Sequence, residues 1–269
     1  MRPVACELRA YGGELAAAGA AQTGSAFTGL PEADALLKDS PEAFLLGVLF
    51  TQGIPAERAW AGPYLLRERL GHLDLWRIAG DPAAVARAVA EPPALHRFVH
   101  TLPGWIVSAA VRVLAEYDGS AATIWPDGAH VREVRRRLEA FDGIGPKKAV
   151  MAVEILMRHF RVTLIGAESG SVAYDVQVRR VFLRTGLVDA DTPEAVSEAA
   201  ARACPEAPGT LDLAAWLVGR TWCRPTAPRC DKCRLSATCP RLVTRTAPGV
   251  GVRSRQSSGL NSKPESSFG

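Results

Sequence analysis

Four of the six cysteines in this 269-residue chain lie close together near its C-terminal end. They are spaced Cys-x6-Cys-x2-Cys-x5-Cys and are Cys223, Cys230, Cys233 and Cys239. Structural zinc sites usually pair two short Cys-x2-4-Cys steps. This run has one such step between wider gaps, which suits a larger iron–sulfur centre held by four thiolates. The spacing therefore favours a [4Fe–4S] cluster, with zinc or disulfides as the alternatives.

The composition of the chain indicates the cellular environment of these cysteines. The net charge of +4 is compatible with nucleic-acid binding but is equally common among unrelated enzymes. No apolar stretch is long enough to span a bilayer, and the N-terminal residues lack the apolar core and cleavage pattern of a secretory signal. We therefore expect a cytoplasmic protein without a membrane segment, in which reduced cysteines bind a metal.

A second stretch with chemical meaning is Phe141-Asp142-Gly143-Ile144-Gly145-Pro146-Lys147-Lys148. An arginine-rich helix is predicted before it and another helix after it, so that residues 131–160 form a helix–hairpin–helix. Glycine permits positive φ and lets a phosphate approach the backbone closely. The free N–H groups at the start of the second helix attract anions. A plain αα-hairpin with a glycine-rich turn is the alternative interpretation.

The remaining sequence indicates helices throughout. Strand signals are nearly absent, and short turns rich in Gly and Pro separate the helical patterns, so we predict an all-α fold. We expect residues 1–41 to form a loose arm with one short helix, and Ser40 to cap the helix that follows. A further helix is predicted over residues 95–101, and residues 246–269 are predicted to be a disordered basic tail.

Asp175 precedes another predicted helix, for which it is a suitable N-cap. That helix buries Val178, Val181 and Phe182, and we expect it to expose its arginines, which are Arg179, Arg180 and Arg184.

In this order, the hairpin, Asp175 and the cysteine spacing resemble the endonuclease III branch of the helix–hairpin–helix (HhH-GPD) DNA glycosylases. The resemblance covers about residues 41–242. It implies a [4Fe–4S] cluster on the four clustered cysteines and two helical domains that flank a DNA-binding cleft. The helical barrel would comprise residues 42–160 and the cluster domain residues 161–245, with the 1–41 arm partly packed on the latter.

The same resemblance assigns the catalytic pair to Lys147 and Asp175. A carboxylate can stabilise the positive charge that develops on the sugar as the N-glycosidic bond breaks. An amine can attack C1′ and form a Schiff base, which permits strand cleavage by β-elimination. The spacing between the two residues is longer than usual in the family, as though residues 161–174 carry an insertion. Taken alone, Lys147 reads as a phosphate contact and Asp175 as a helix cap.

The resemblance also implies a DNA-binding set, in which Gln52 fills the gap left by an extruded base. The other expected DNA contacts are glycines and cations of the hairpin and cysteine loop, namely Gly143, Gly145, Lys148, Arg224, Arg229 and Lys232. Tyr174 and Gln177 replace residues common in close relatives and are candidates for the base pocket. These departures leave the excised lesion open.

We therefore expect a base-excision DNA glycosylase that acts as a monomer on duplex DNA containing a damaged or modified base, in a nucleoid-associated location. AP-lyase activity through a lysine Schiff base is expected, with an oxidised pyrimidine as the default substrate. A monofunctional glycosylase for an alkylated or otherwise modified base is the first alternative. A non-catalytic iron–sulfur DNA-binding protein is the second.

Overall fold

The computed structural model describes residues 2–21 and 28–243, and within them the chain is helical with no β-strand. The all-α prediction is confirmed. The predicted tail, residues 246–269, lies outside the described part. No described helix is long and apolar enough to cross a membrane. The α-helices of the described residues are α1 Pro3–Ala21, α2 Pro31–Asp39, α3 Pro41–Phe50, α4 Ala56–Leu70, α5 Leu75–Gly80, α6 Pro82–Ala90, α7 Leu102–Glu116, α8 Val131–Glu139, α9 Pro146–Arg158, α10 Val176–Arg184, α11 Pro193–Ala203 and α12 Thr210–Thr221.

The first hydrophobic core is built by α2 to α9 around the almost wholly apolar helix α3. Ser40 caps α3 as predicted, its hydroxyl accepting from the Ala43 N–H at 3.1 Å. Phe44 lies at the centre, with its ring 5.5 Å from that of Trp60 and 5.4 Å from that of Trp125. Because every face of α3 meets another helix, this core fixes where α3 ends and where Gln52 emerges.

The second core contains α1, α10, α11 and α12. Helix α12 packs against both α1 and α10, and Leu8, Phe182 and Leu211 are fully buried between them. The chain therefore enters the second core first, builds the first core, and then returns. The cysteine loop follows directly from the end of α12.

The N-terminal region differs from the single loose arm that its sequence predicts. Residues 3–21 form the long helix α1, which packs on α12, whereas α2 packs on α3 and α4 of the first core. Alanine has the highest helix propensity, so an Ala-rich segment needs only one apolar face to form a stable helix. Val4, Ala5 and Leu8 supply that face.

The predicted exposure of the α10 arginines is wrong for two of the three. Arg180 and Arg184 are buried, because their guanidinium groups donate to backbone carbonyls of the cysteine loop. Arg180 reaches the Cys223 carbonyl at 2.7 Å, and Arg184 reaches that of Arg224 at 2.6 Å. Sequence periodicity marks charged residues as solvent-facing and cannot register such distant partners.

The helix predicted over residues 95–101 is also absent; that stretch is a turn leading into α7. Side chains of α4 bind the backbone just before it. Arg69 donates to the carbonyls of Glu91 and Pro93, and Arg58 donates to that of Ala94. These bonds hold the carbonyls in a path that a regular helix does not allow.

Several contacts join the two cores. Glu57 at the start of α4 and Arg220 near the end of α12 form an ion pair of 2.7 Å. Residues 161–174 run between the cores, and this segment pairs with the start of α8 through the Val131 N–H and the Ile165 carbonyl at 2.9 Å. The candidate site lies where this segment meets the hairpin.

Candidate active site at the junction of the two cores

The hairpin between α8 and α9 places its two glycines in different conformations. Gly143 has a φ of +80°, and a Cβ built on it would lie 2.5 Å from the Trp105 ring. Gly145 is extended, with a φ of −89°, and caps α9 ahead of Pro146. Apart from its chain neighbours, no atom of the described residues lies within 4 Å of a Cβ built on Gly145. Gly143 is thus required by the fold, whereas Gly145 leaves open space over the first turn of α9.

Alanine substitutions should separate these two roles. Gly143→Ala combines a left-handed backbone with a clash against Trp105, so we expect it to lower the free energy of unfolding by about 2–4 kcal/mol. Gly145→Ala should change it by less than about 1 kcal/mol yet weaken duplex binding by crowding the open space. Urea unfolding and fluorescence anisotropy measure the two effects. Equal destabilisation by both variants would contradict this assignment.

The predicted catalytic residues are in direct contact. The Lys147 ammonium lies 2.5 Å from Asp175 Oδ2. Lys147 is in the first turn of α9, in the first core, and Asp175 is the N-cap of α10, in the second. The capping bond uses the other oxygen, since Asp175 Oδ1 accepts from the Gln177 N–H at 2.7 Å. A capping carboxylate can therefore also face the amine.

Exposure differs between the two partners. The Lys147 side chain is 56% exposed and that of Asp175 only 14%. The carboxylate is therefore held in place by its surroundings, while the amine reaches it from a solvent-facing helix start. A substrate placed over α9 could meet both groups.

Lys148 occupies a different environment from its neighbour. Its ammonium donates to the Leu49 carbonyl at 2.9 Å and lies 5.5 Å from the centre of the Trp105 ring. Burial, with a smaller contribution from the charge of Lys147, lowers the pKa of Lys148 to about 8. It joins the hairpin to the end of α3. The predicted DNA contact by Lys148 stays a prediction.

Gln52 is exposed just beyond the end of α3, three residues after the Leu49 carbonyl that Lys148 holds. The side chain of Arg97 reaches the neighbouring Gly53 carbonyl at 3.4 Å. The hydrogen bond from Lys148 to the Leu49 carbonyl connects the hairpin to the turn that contains Gln52.

Both candidates for the base pocket have a side-chain oxygen that is hydrogen-bonded to a neighbouring residue. The Tyr174 hydroxyl donates to Asp191, 2.8 Å from Oδ1, and Arg179 binds the same carboxylate. The Gln177 side-chain oxygen accepts from Arg180. Both side chains are thus engaged beside Asp175, and their predicted roles in base recognition stay predictions.

The four clustered cysteines are half-buried, and Cys223, Cys233 and Cys239 pack against the second core. Burial raises the pKa of the Cys233 thiol, and the charges of the other three thiols raise it further. Within the described residues, no group of three or more His, Cys, Asp or Glu side chains is arranged as a metal-binding site. The donor set is four mutually interacting thiols, which fits an iron–sulfur cluster in ligand type and number.

The cations of the cysteine loop divide into two groups. Arg234 pairs with Glu14 of α1 at 2.5 Å and lies over the Tyr11 ring. The predicted DNA contacts have no such ion pair among the described contacts and are exposed, as Arg234 is too; they are Arg224, Arg229 and Lys232. An exposed basic surface on this loop can contact phosphates.

The structure adds a group of charged side chains that sequence reasoning missed. Asp212 Oδ1 accepts from the Ala173 N–H at 2.6 Å. Nearby, the buried carboxylate of Glu154 pairs with Arg158 at 2.8 Å. The available signal was an acidic residue in each of two otherwise apolar helical stretches, Thr-Leu-Asp-Leu-Ala-Ala at residues 210–215 and Met-Ala-Val-Glu-Ile-Leu at residues 151–156.

Comparison with solved structures defines the class of fold: it is the all-helical, helix–hairpin–helix fold of DNA glycosylases. The chain is similar to endonuclease III in a trapped covalent DNA intermediate, with a TM-score of 0.57 and 17% identity over 80% of this chain and 93% of that one. A non-covalent endonuclease III–DNA complex gives the same values. A thermostable thymine-DNA glycosylase has a TM-score of 0.54 and 14% identity, covering 76% of this chain and 85% of that one. No family model and no curated protein matches the sequence.

Proposed function

We propose that the protein is a DNA glycosylase of base-excision repair that cleaves the N-glycosidic bond of a damaged or modified base in duplex DNA. The contact between Lys147 and Asp175, 2.5 Å long, carries this proposal. It joins an amine at the hairpin helix to a largely buried carboxylate of the second core. The fold shared with DNA glycosylases supports the same conclusion.

In the proposed reaction, Asp175 stabilises the positive charge that develops on the deoxyribose as the base departs. Lys147 attacks C1′, forming a C–N bond as the glycosidic bond breaks, and the expelled base takes a proton. Loss of the ring oxygen's bond to C1′ then gives the Schiff base, from which β-elimination releases the 3′ phosphate. The Lys147 ammonium must lose a proton before attack, since only the unprotonated amine is nucleophilic, and this proton is the one that the expelled base takes up. A base extruded from the duplex is required because neither group can enter an intact stack.

Duplex binding is assigned to three surfaces. The first turn of α9 offers open space beside Gly145 and unpaired backbone N–H groups to a phosphate. The cysteine loop offers its exposed cations. We propose that Gln52, which is exposed beyond α3, enters the gap left by the extruded base. We further propose that the enzyme acts as a monomer, in the cytoplasm on the nucleoid.

The resident cofactor of this proposal is a [4Fe–4S] cluster on Cys223, Cys230, Cys233 and Cys239. Residues 222–241 contain one buried apolar side chain, Leu235, and one turn of 3₁₀ helix. A loop with so small a core needs additional cross-linking to hold a fixed shape. The cluster would supply that cross-link.

Base release from defined duplexes tests the activity. The purified protein is incubated with duplexes that each carry one lesion, covering oxidised pyrimidines, alkylated purines, deaminated bases and mismatched thymine. We expect release from at least one lesion, with oxidised pyrimidines first. Binding of the duplexes without release from any lesion would leave the non-catalytic DNA-binding protein as the better interpretation.

The same reactions distinguish the two kinds of glycosylase. A bifunctional enzyme nicks the strand as it releases the base, whereas a monofunctional enzyme leaves an abasic site that breaks only after treatment with alkali. The engagement of Tyr174 by Asp191 leaves the lesion class open, so the panel rather than the pocket residues decides it.

A further inference from the structure

One hydrogen bond connects α12 to the segment that carries Asp175. We propose that Asp212 is a positioning residue, whose carboxylate holds the turn of residues 173–175 so that Asp175 meets Lys147. This inference rests on the function proposed above for the Lys147–Asp175 pair. Asp212 itself acts through the backbone and contacts neither the amine nor Asp175 by a hydrogen bond in the described structure.

The bonds form a short continuous path. Asp212 Oδ1 accepts from the Ala173 N–H at 2.6 Å, and the Ala173 carbonyl accepts from the Asp175 N–H at 2.7 Å. Asp175 then accepts from the Gln177 N–H and from Lys147. Because Ala173 is bound on both sides, a change at Asp212 is transmitted to Asp175 within two residues.

Helix α12, which carries Asp212, packs closely against α10. Near its other end, a Cβ built on Gly219 would lie 2.7 Å from the Gln177 Cβ and 2.8 Å from the Gln177 carbonyl oxygen. Arg180 donates to the Gly219 carbonyl at 3.0 Å. Helix α12 therefore packs against the start of α10 without an intervening side chain. The two anchor points, Asp212 and Gly219, hold the segment on either side of Asp175.

The charges around Asp212 come from three directions. The pKa of Asp212 is raised to about 7, mainly by burial and further by the negative charges of Glu154 and Asp175. The hydrogen bond from the Ala173 N–H and the positive charge of Arg158 lower the pKa but do not cancel the rise. From α10, Arg180 is directed to backbone carbonyls. The charged groups of α1 are engaged elsewhere, with Glu14 on Arg234, Glu7 on Thr238 and Arg9 on Glu206.

Because the pKa of Asp212 is raised, the strength of the hydrogen bond from the Ala173 N–H to Asp212 should depend on pH. An ionised acceptor forms a stronger hydrogen bond than a neutral one. As the pH rises through about 7, Asp212 ionises and the bond from the Ala173 N–H strengthens. An asparagine retains a neutral acceptor at every pH. The rate of base release should therefore be higher for wild type than for Asp212→Asn only above a pH of about 7.

Protein stability should respond in the opposite sense. A carboxyl whose pKa is raised in the folded state binds its proton more tightly there than in the unfolded chain. The contribution of Asp212 to the free energy of unfolding is present below the ordinary pKa of an aspartate, about 4, and is lost as the pH rises toward 7. The Tm of Asp212→Asn should therefore rise relative to wild type between pH 4 and 7. This comparison also checks that the variant folds.

The decisive experiment combines kinetics with NMR on the full chain. Single-turnover base release is measured from pH 6 to 8.5 for wild type, Asp212→Asn and Asp212→Ala, with Glu198→Gln as control. Glu198 is an exposed carboxylate of α11 paired only with Arg202 among the described contacts. We expect Asp212→Ala to lose about 10- to 100-fold in rate with unchanged duplex affinity. Asp212→Asn should match wild type at pH 6 and fall several-fold behind by pH 8.5.

The NMR measurement follows the Ala173 and Gln177 amides, which report the first and last bonds of the path. In wild type the Ala173 amide should titrate near pH 7, and Asp212→Asn should abolish that titration. In Asp212→Ala the Gln177 amide should shift, as Asp175 leaves its capping position. An unchanged Gln177 amide, or an unchanged rate in Asp212→Ala, overturns the positioning role. If wild type releases no base from any lesion, the proposed function fails, while the amide shifts still decide whether Asp212 positions Asp175.

Discussion

Asp175→Asn should reduce base release by about 10²- to 10⁴-fold while leaving the fold and duplex affinity almost unchanged. Asparagine caps helices about as well as aspartate, so the bond from the Gln177 N–H can persist. What is lost is the negative charge that faces Lys147 at 2.5 Å. Single-turnover release on the preferred lesion, together with anisotropy on the same duplex, measures both quantities.

A matched substitution separates catalysis from capping. Asp74 caps α5 in the first core, where its Oδ1 accepts from the Arg77 N–H at 2.8 Å. Asp74→Asn changes an equivalent capping carboxylate that forms no ion pair with a lysine in the described part of the chain, and it should leave base release within about 2-fold of wild type. Equal rates for Asp175→Asn and Asp74→Asn would reduce Asp175 to a structural cap.

Replacement of a cluster cysteine should have the largest effect on stability. We expect Cys233→Ala to lose iron and sulfide and to lower the free energy of unfolding by at least about 3 kcal/mol, equivalent to a fall in Tm of roughly 6–12 °C. The reason is that Leu235 is the one fully buried apolar side chain of the loop. Metal analysis and thermal unfolding of anaerobically purified protein measure the two losses.

Cys204 supplies the control for this experiment. It is buried in the second core and is not one of the four clustered cysteines. Cys204→Ala should retain a full complement of iron and the visible absorption of the cluster. A colourless wild-type protein with stoichiometric zinc would contradict the cluster, and full iron in Cys233→Ala would remove Cys233 from the ligand set.

Local signals in the sequence predicted much of the helical framework. Ser40 and Thr192 are N-caps as their types indicate, with the Thr192 hydroxyl 3.2 Å from the Ala195 N–H. The hairpin glycines mark the turn between α8 and α9, and Asp175 stands at the start of α10. These features depend on residues within four positions of one another, where composition and spacing carry the information.

Long-range pairing accounts for most of what the sequence did not indicate. Arg184 is buried because carbonyls 40 and 41 residues later accept its hydrogen bonds. Lys148 turns inward because the Leu49 carbonyl, 99 residues earlier, lies beside it. In both residues a long apolar stem ends in a charge, and periodicity assigns such side chains to the surface. The link from Asp212 to Ala173 is of the same kind.

The resemblance and the structure contribute differently to the candidate site. The family resemblance singled out Lys147 from two adjacent lysines. The structure separates the two by environment, since Lys147 faces Asp175 and Lys148 faces the Leu49 carbonyl. The predicted DNA contact by Lys148 stays a prediction. The open space at Gly145 is a further candidate for a phosphate contact.

Borohydride trapping on a lesion-containing duplex is the most direct test of Lys147 as the nucleophile. Wild type and Lys148→Ala should form a covalent protein–DNA complex, and peptide mass spectrometry should place the adduct on Lys147. Lys147→Ala should form none while still binding the duplex. A trapped complex in Lys147→Ala, or an adduct mapped to any other residue, would contradict the proposed active site.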